Sequence, residues 1–134
     1  MKLFAASALG FLMSGWVPVF PAQTGSLLQR APAQAALLKN PYEGNESSAK
    51  AGAKLYRQEC AACHGHRAEG SHKAPPLNRL DVQNASPGAL FWVLRNGALR
   101  RGMPSFAHLP EPERWQIVTY LQSLRRSAEA FERK

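Results

Sequence analysis

The sequence predicts a helical fold with about three main helices and a long irregular segment between the first two. Three observations carry this reading. Apolar residues recur at helical spacing around 45–60, 86–97 and 111–126. Each stretch opens on residues suited to a helix start: Asn45, Ser86 followed by Pro87, and Glu111. The residues from His66 to Ala85 show no period and are punctuated by Gly70, Pro75 and Pro76; about twenty irregular residues inside a compact domain usually have a function.

In chain order, the first element is a targeting segment. Met1 and Lys2 make a minimal positive start, and Leu3 to Phe20 is almost entirely apolar until Pro18 and Pro21 break it. Residues 1–22 therefore read as a secretory signal peptide, which sends the protein to the periplasm. Cleavage after Ala22 suits the end of the apolar run, although Phe20 stands where a small residue is preferred. Ala31-Pro32-Ala33 fits the small-x-small rule better but lies far downstream. An uncleaved anchor is the alternative, since about 18 apolar residues just span a bilayer; the prolines and early glycines argue for cleavage. Residues 23–44 are small, polar and proline-punctuated, and read as a linker with at most one helical turn at Ala35-Ala36-Leu37-Leu38. A folded domain is expected over 45–127 and a charged, fraying tail over 128–134.

Asn45 caps the first helix, Glu46 suits its positive end, and the helix runs through Leu55 and Tyr56 into Cys60. Gly52 stands inside it at a cost of about 1 kcal/mol relative to Ala. Close contact with another helix, through Tyr120, explains it better than simple tolerance.

Cys60-Ala61-Ala62-Cys63-His64-Gly65 follows. On a helix, positions i, i+3 and i+4 share one face, so both thiols and the imidazole address one object. C-x-x-C-H is the signature of covalent haem c attachment: each thiol forms a thioether with a vinyl group, and the imidazole binds iron from the same side. Three rival readings fare worse. A zinc site would use Cys60 and Cys63 with His64, His66 or His72, but it lacks the usual second pair of ligands. A redox C-x-x-C calls for a preceding strand. A disulfide between Cys60 and Cys63 would be strained in a helix and would leave His64 unexplained.

In the irregular segment, Leu77, Leu80 and Val82 are expected to bury against haem, and Pro75 or Pro76 offers a carbonyl that would orient His64 through Nδ1. A merely stiff turn is the plainer reading of this proline pair. Ser86 and Pro87 open the second helix, whose apolar face is Leu90, Phe91, Val93 and Leu94, and Asn96-Gly97 closes it.

Met103 is the only methionine after the targeting segment, and Gly102 and Pro104 hold it on a loop. A lone methionine is usually a core filler. Downstream of C-x-x-C-H, its thioether is a soft neutral ligand suited to the second axial position, with His108 and His72 as competitors. The last helix starts near Glu111, carries Trp115, Ile117, Val118, Leu121 and Leu124 on its apolar stripe, and ends at Arg125-Arg126.

The net charge is +8, yet no basic run exceeds two residues. A nucleic-acid binder would concentrate such charge on one stripe with aromatics interleaved, so no nucleic acid is expected. A positive face can instead steer an acidic protein partner or meet an anionic membrane surface.

The motifs resemble those of the class I (mitochondrial-type) bacterial cytochromes c with a single haem. Those that carry the resemblance are Gly52-x-x-Leu55-Tyr56, Cys60-x-x-Cys63-His64-Gly65, Ala74-Pro75-Pro76-Leu77, Gly102-Met103-Pro104-x-Phe106 and Trp115-x-x-Val118-x-Tyr120-Leu121. They cover about Asn45 to Leu124 in the family's order, with Ala74 where that family commonly has glycine. The resemblance implies an all-α cytochrome c fold wrapped around one covalently attached haem, with the N- and C-terminal helices crossing near Gly52 and Tyr120. It also implies that Cys60 and Cys63 hold the haem, that His64 and Met103 are the proximal and distal iron ligands, and that the Pro75 carbonyl and Leu77 complete the site. The expected role is one-electron transfer between periplasmic or membrane redox partners, not enzymatic catalysis. Docking on an acidic partner would use Lys73, Arg95, Arg100 and Arg101. Membrane contact is expected through donor or acceptor complexes, and the chain is expected as a monomer. The alternatives are an electron-accepting subunit of a periplasmic dehydrogenase and a ligand-binding haem sensor.

Overall fold

A computed structural model describes residues 26–132. The expected signal peptide and the last two residues of the tail lie outside the described residues. In chain order the helices are α1 (Ala33–Ala36), α2 (Glu46–Glu59), α3 (Ala61–His64), α4 (Leu80–Gln83), α5 (Pro87–Asn96) and α6 (Glu111–Glu132), with 3-10 turns at Leu27–Arg30 and Leu99–Arg101. Among the described residues there is no strand, only an isolated antiparallel bridge between Ala98 and Met103. The fold is all-α, and α2, α5 and α6 are its three main helices.

The caps act where the sequence puts them. The Asn45 side chain accepts from the Ser48 N–H at 2.9 Å, and Ser86 accepts from Ala89 at 3.2 Å. Gly97 ends α5 at φ 67°, a backbone shape that favours glycine, and a Cβ there would crowd the Pro104 carbonyl.

Helices α2 and α6 cross at Gly52, where a Cβ would collide with the Gln116 carbonyl oxygen and touch Tyr120 Cβ. One turn further along α2, the Tyr56 and Tyr120 rings meet at 5.2 Å between centroids. Ile117 and Val118 of α6 are fully buried here, and Trp115 stacks on Phe91 of α5 at 4.1 Å.

Two boundaries differ from the sequence expectation. Residues 26–44 do not hang free as a linker. Leu28 and Tyr42 pack against the core, and buried Asn40 donates to Thr119 Oγ1 at 2.9 Å and to Gln122 Oε1 at 3.3 Å. The short helical turn expected near Ala35 is present as α1, and it lies on α5 so tightly that a Cβ at Gly88 would meet the Ala35 carbonyl. At the other end, the α6 backbone stays helical to Glu132, past the expected limit at 127.

Candidate haem site

Helix α2 gives way to α3 at Cys60, whose φ of −119° breaks the regular helix. Gly65 then stops α3 at φ 83°. The turn is tied down from three directions. The Tyr56 hydroxyl donates to the Gly65 carbonyl at 2.8 Å, the Ser71 hydroxyl donates to the Cys63 carbonyl at 2.6 Å, and the Gly70 N–H donates to the His64 carbonyl at 2.7 Å. The loop beyond folds back because Ala68, fully buried at φ 61°, presents its carbonyl to Leu77 N–H at 2.8 Å. A non-glycine residue in that region costs roughly 1–2 kcal/mol, which the doubled-back loop outweighs.

This fold-back delivers Pro75 to the motif. Its carbonyl oxygen lies 2.8 Å from His64 Nδ1. A carbonyl only accepts, so Nδ1 carries the proton and Nε2 is left as the basic nitrogen.

Met103 comes from a separate loop, the one that follows α5. The Ala98 N–H donates to the Met103 carbonyl at 2.8 Å, and the Met103 N–H donates to the Ala98 carbonyl at 3.2 Å. Gly102 at φ 81° closes the small hairpin. Ser105 Oγ donates to the Arg95 carbonyl at 2.6 Å and Phe106 N–H to the Leu94 carbonyl at 2.9 Å, so the loop is fixed to the end of α5. Buried Arg114 holds its outgoing half, donating to the Ala107 and Leu109 carbonyls at 3.1 and 2.7 Å.

Cys60, Cys63, His64, Pro75, Leu77 and Met103 all line one cavity of about 510 Å³, a size common for cofactor sites. Leu90, Leu94, Phe106, Ile117 and Leu121 make much of the remaining wall apolar. Cys60 is buried and Cys63 exposed; burial pushes the free Cys60 thiol up to about 12. The residues fit haem c: two free thiols and a basic imidazole nitrogen meet a thioether around one largely apolar space. They do not fit zinc, because among the described residues no three His, Cys, Asp or Glu come together as a metal-holding group.

Other expected residues sort clearly. Val82 is buried and lines the cavity, whereas Leu80 is 76% exposed and does not. The one-turn helix α4 explains this: Val82 and Leu80 lie two positions apart, on different faces. His72 and His108, the competitors of Met103, are exposed and do not line the cavity; His108 instead lies 4.0 Å from Glu59. Lys73 and Arg101 reach the cavity wall, while Arg95 and Arg100 are exposed outside it. Sequence reasoning missed Arg79 and the turn at Ser26, Leu27 and Leu28, which also line the cavity. None of these stands in a periodic or motif context, so no local signal marks them.

Comparison with known proteins places the chain in a family. The family model described as "Cytochrome C oxidase, cbb3-type, subunit III" matches residues 47–121. Cytochrome c550 of Pseudomonas aeruginosa is 33% identical over 90 residues, covering 64% of this chain and 62% of that protein. The quinohemoprotein alcohol dehydrogenase ADH-IIG of Pseudomonas putida is 31% identical over 133 residues, covering 81% of this chain but 18% of that protein. The crystal structure of cytochrome CL from Methylophaga aminisulfidivorans MPT superposes with a TM-score of 0.56 at 31% identity, covering 63% of this chain and 58% of that one. The chain thus spans less than two thirds of the length of each of these relatives. The chain belongs to the c-type cytochromes, in the family described as cytochrome c oxidase, cbb3-type, subunit III, and Cys60-x-x-Cys63-His64 is its attachment motif for covalent haem c.

Proposed function

We propose that this protein is an exported, monomeric one-electron carrier of the periplasm, in which His64 and Met103 are the axial iron ligands. Haem c supplies the one-electron couple when bound. The residues of the chain do the rest. Cys60 and Cys63 would fix the haem by thioether bonds, and the Pro75 carbonyl holds the His64 ring in the tautomer that leaves Nε2 free to bind. The hairpin at Ala98 and Met103 would bring a neutral thioether to the same cavity. If His64 and Met103 both bound the iron, neither oxygen nor a substrate would have a ready site, which favours electron transfer over catalysis. An apolar cavity disfavours the more highly charged ferric state, so it raises the reduction potential. The signal-peptide reading of residues 1–22 supports export, and the exposed Arg95, Arg100 and Leu99 beside the cavity support docking on an acidic redox partner.

The observation that carries the reading is the meeting of His64, oriented through Pro75, and Met103 in one apolar cavity that also holds both thiols. The visible spectrum tests it. The mature protein should keep its haem through acid-acetone extraction and show the weak long-wavelength ferric band of a sulfur-to-iron bond. Met103→Ala should retain the haem and lose that band. Covalent haem lacking the band in the parent protein would remove Met103 from the iron.

The similarity to a segment of a quinohemoprotein alcohol dehydrogenase favours one second reading, in which the chain takes electrons from a periplasmic dehydrogenase as its bound cytochrome subunit. Co-elution with a dehydrogenase in gel filtration of native extract would move the assignment there.

A further inference from the structure

The family match begins at residue 47, yet the haem cavity does not end there. Ser26, Leu27 and Leu28 are half-buried and line it, and Leu28 also packs against the hydrophobic core. Two contacts fasten this segment to the helices, and a third holds its own turn in shape. Ser26 caps the 3-10 turn, accepting from Leu28 N–H at 3.4 Å. The α1 turn lies against α5 where Gly88 leaves room for the Ala35 carbonyl. Asn40, 5% exposed, bonds Thr119 and Gln122 of α6. A free linker would bury none of these.

We propose that residues 26–42 form a wall of the haem cavity that lies outside the span matched by the family model, and that Leu27 and Leu28 tune the haem by keeping water from it. Water stabilises the more highly charged ferric state, and the apolar shell around a metal site sets solvent access and thereby potential. The same wall constrains processing. Of the two candidate cleavage points, the one after Ala22 leaves the wall intact, whereas the one after Ala33 removes Ser26, Leu27 and Leu28. The mature chain therefore starts upstream of Ser26. This inference rests on the haem reading above.

Its test uses the full exported holoprotein, a deletion of residues 26–31, and the point variants Leu28→Asn and Leu37→Asn. Leu37 belongs to the same segment but is 79% exposed, so it serves as the control. At a fixed poise near the parent midpoint, the deletion should raise the ferric-to-ferrous ratio about tenfold, equivalent to about 59 mV for a one-electron couple. Leu28→Asn should raise it about threefold, and Leu37→Asn should leave it unchanged. Haem retained with ratios equal to the parent in both the deletion and Leu28→Asn would overturn the wall. If the deletion does not mature, Leu28→Asn decides alone. A parent protein without covalent haem would overturn the haem reading instead. Intact-mass measurement of the exported parent gives a second check, because a mature chain starting at Gln34 would overturn the proposal and a start upstream of Ser26 is expected.

Discussion

Tyr56 shows how one side chain serves both the fold and the site. Its ring is fully buried between α2 and α6, it lines the haem cavity, and its hydroxyl fixes the Gly65 turn that ends the attachment motif. Burial pushes its phenol well above the ordinary tyrosine value, and the nearby Tyr120 and Glu69 add to the rise. The sign of the consequence follows. Below about pH 10 the phenol is protonated in both folded and unfolded chains. Above it the unfolded chain loses the proton first, so stability falls as pH rises, by at most about 1.4 kcal/mol per unit. Urea unfolding of the holoprotein between pH 9 and 11 should show this slope, and Tyr56→Phe should flatten it. The same variant removes the bond to Gly65 and should cost about 1 kcal/mol at pH 7. An unchanged alkaline slope would mean that Tyr56 ionises as freely in the folded protein as in the unfolded one.

At the scale of elements, the α2–α6 crossing and the Met103 loop depend on single residues. Gly52→Ala improves helix propensity by about 1 kcal/mol but drives a methyl group into the Gln116 carbonyl, and backbone cannot swing aside as a side chain can. The net effect should be a loss of about 3 kcal/mol or more, read as a lower denaturant midpoint. Gly102→Ala makes the contrast, since nothing lies within 4 Å of its Cβ and the loss should be the roughly 1–2 kcal/mol of its positive φ. Arg114 is 7% exposed, bonds two carbonyls of the loop that follows Met103, and lies 5.1 Å over the Phe91 ring. Arg114→Met should cost about 2–4 kcal/mol and weaken the sulfur-to-iron ferric band, as absorbance during unfolding would show. Much of this was legible in the sequence, because caps, apolar stripes and C-x-x-C-H are local patterns. Gly52 was readable as a contact for the same reason: a helix rarely keeps a glycine without a neighbour. The wall at Ser26–Leu28, the exposure of Leu80 and the two carbonyls under Arg114 were not legible. Each depends on which distant backbone lies opposite, and the short turns that set this carry no period.

At the scale of the whole molecule, charge and cavity lie together. Lys73, Arg79 and Arg101 line the cavity wall, Arg95 and Arg100 lie exposed near Met103 in sequence, and Leu99 beside them is 76% exposed. An apolar residue set among cations suits brief docking. On the docking proposed above, the charges would draw in an acidic partner from a distance, and the leucine would give a small dry contact once it arrived. Each part makes a separate expectation. Arg95→Glu with Arg100→Glu reverses two charges that do not line the cavity, so the potential and the ferric spectrum should stay as they are. The second-order rate of electron transfer to an acidic redox protein should fall about tenfold at low ionic strength. The difference should shrink toward nothing near 1 M salt, where the screening length is about 3 Å. Leu99→Ser should lower the rate at all salt concentrations, because a dry contact is not screened. Stopped-flow measurement across a salt series separates the two terms. A reversal variant as fast as the parent at low salt would place the docking face elsewhere on the molecule.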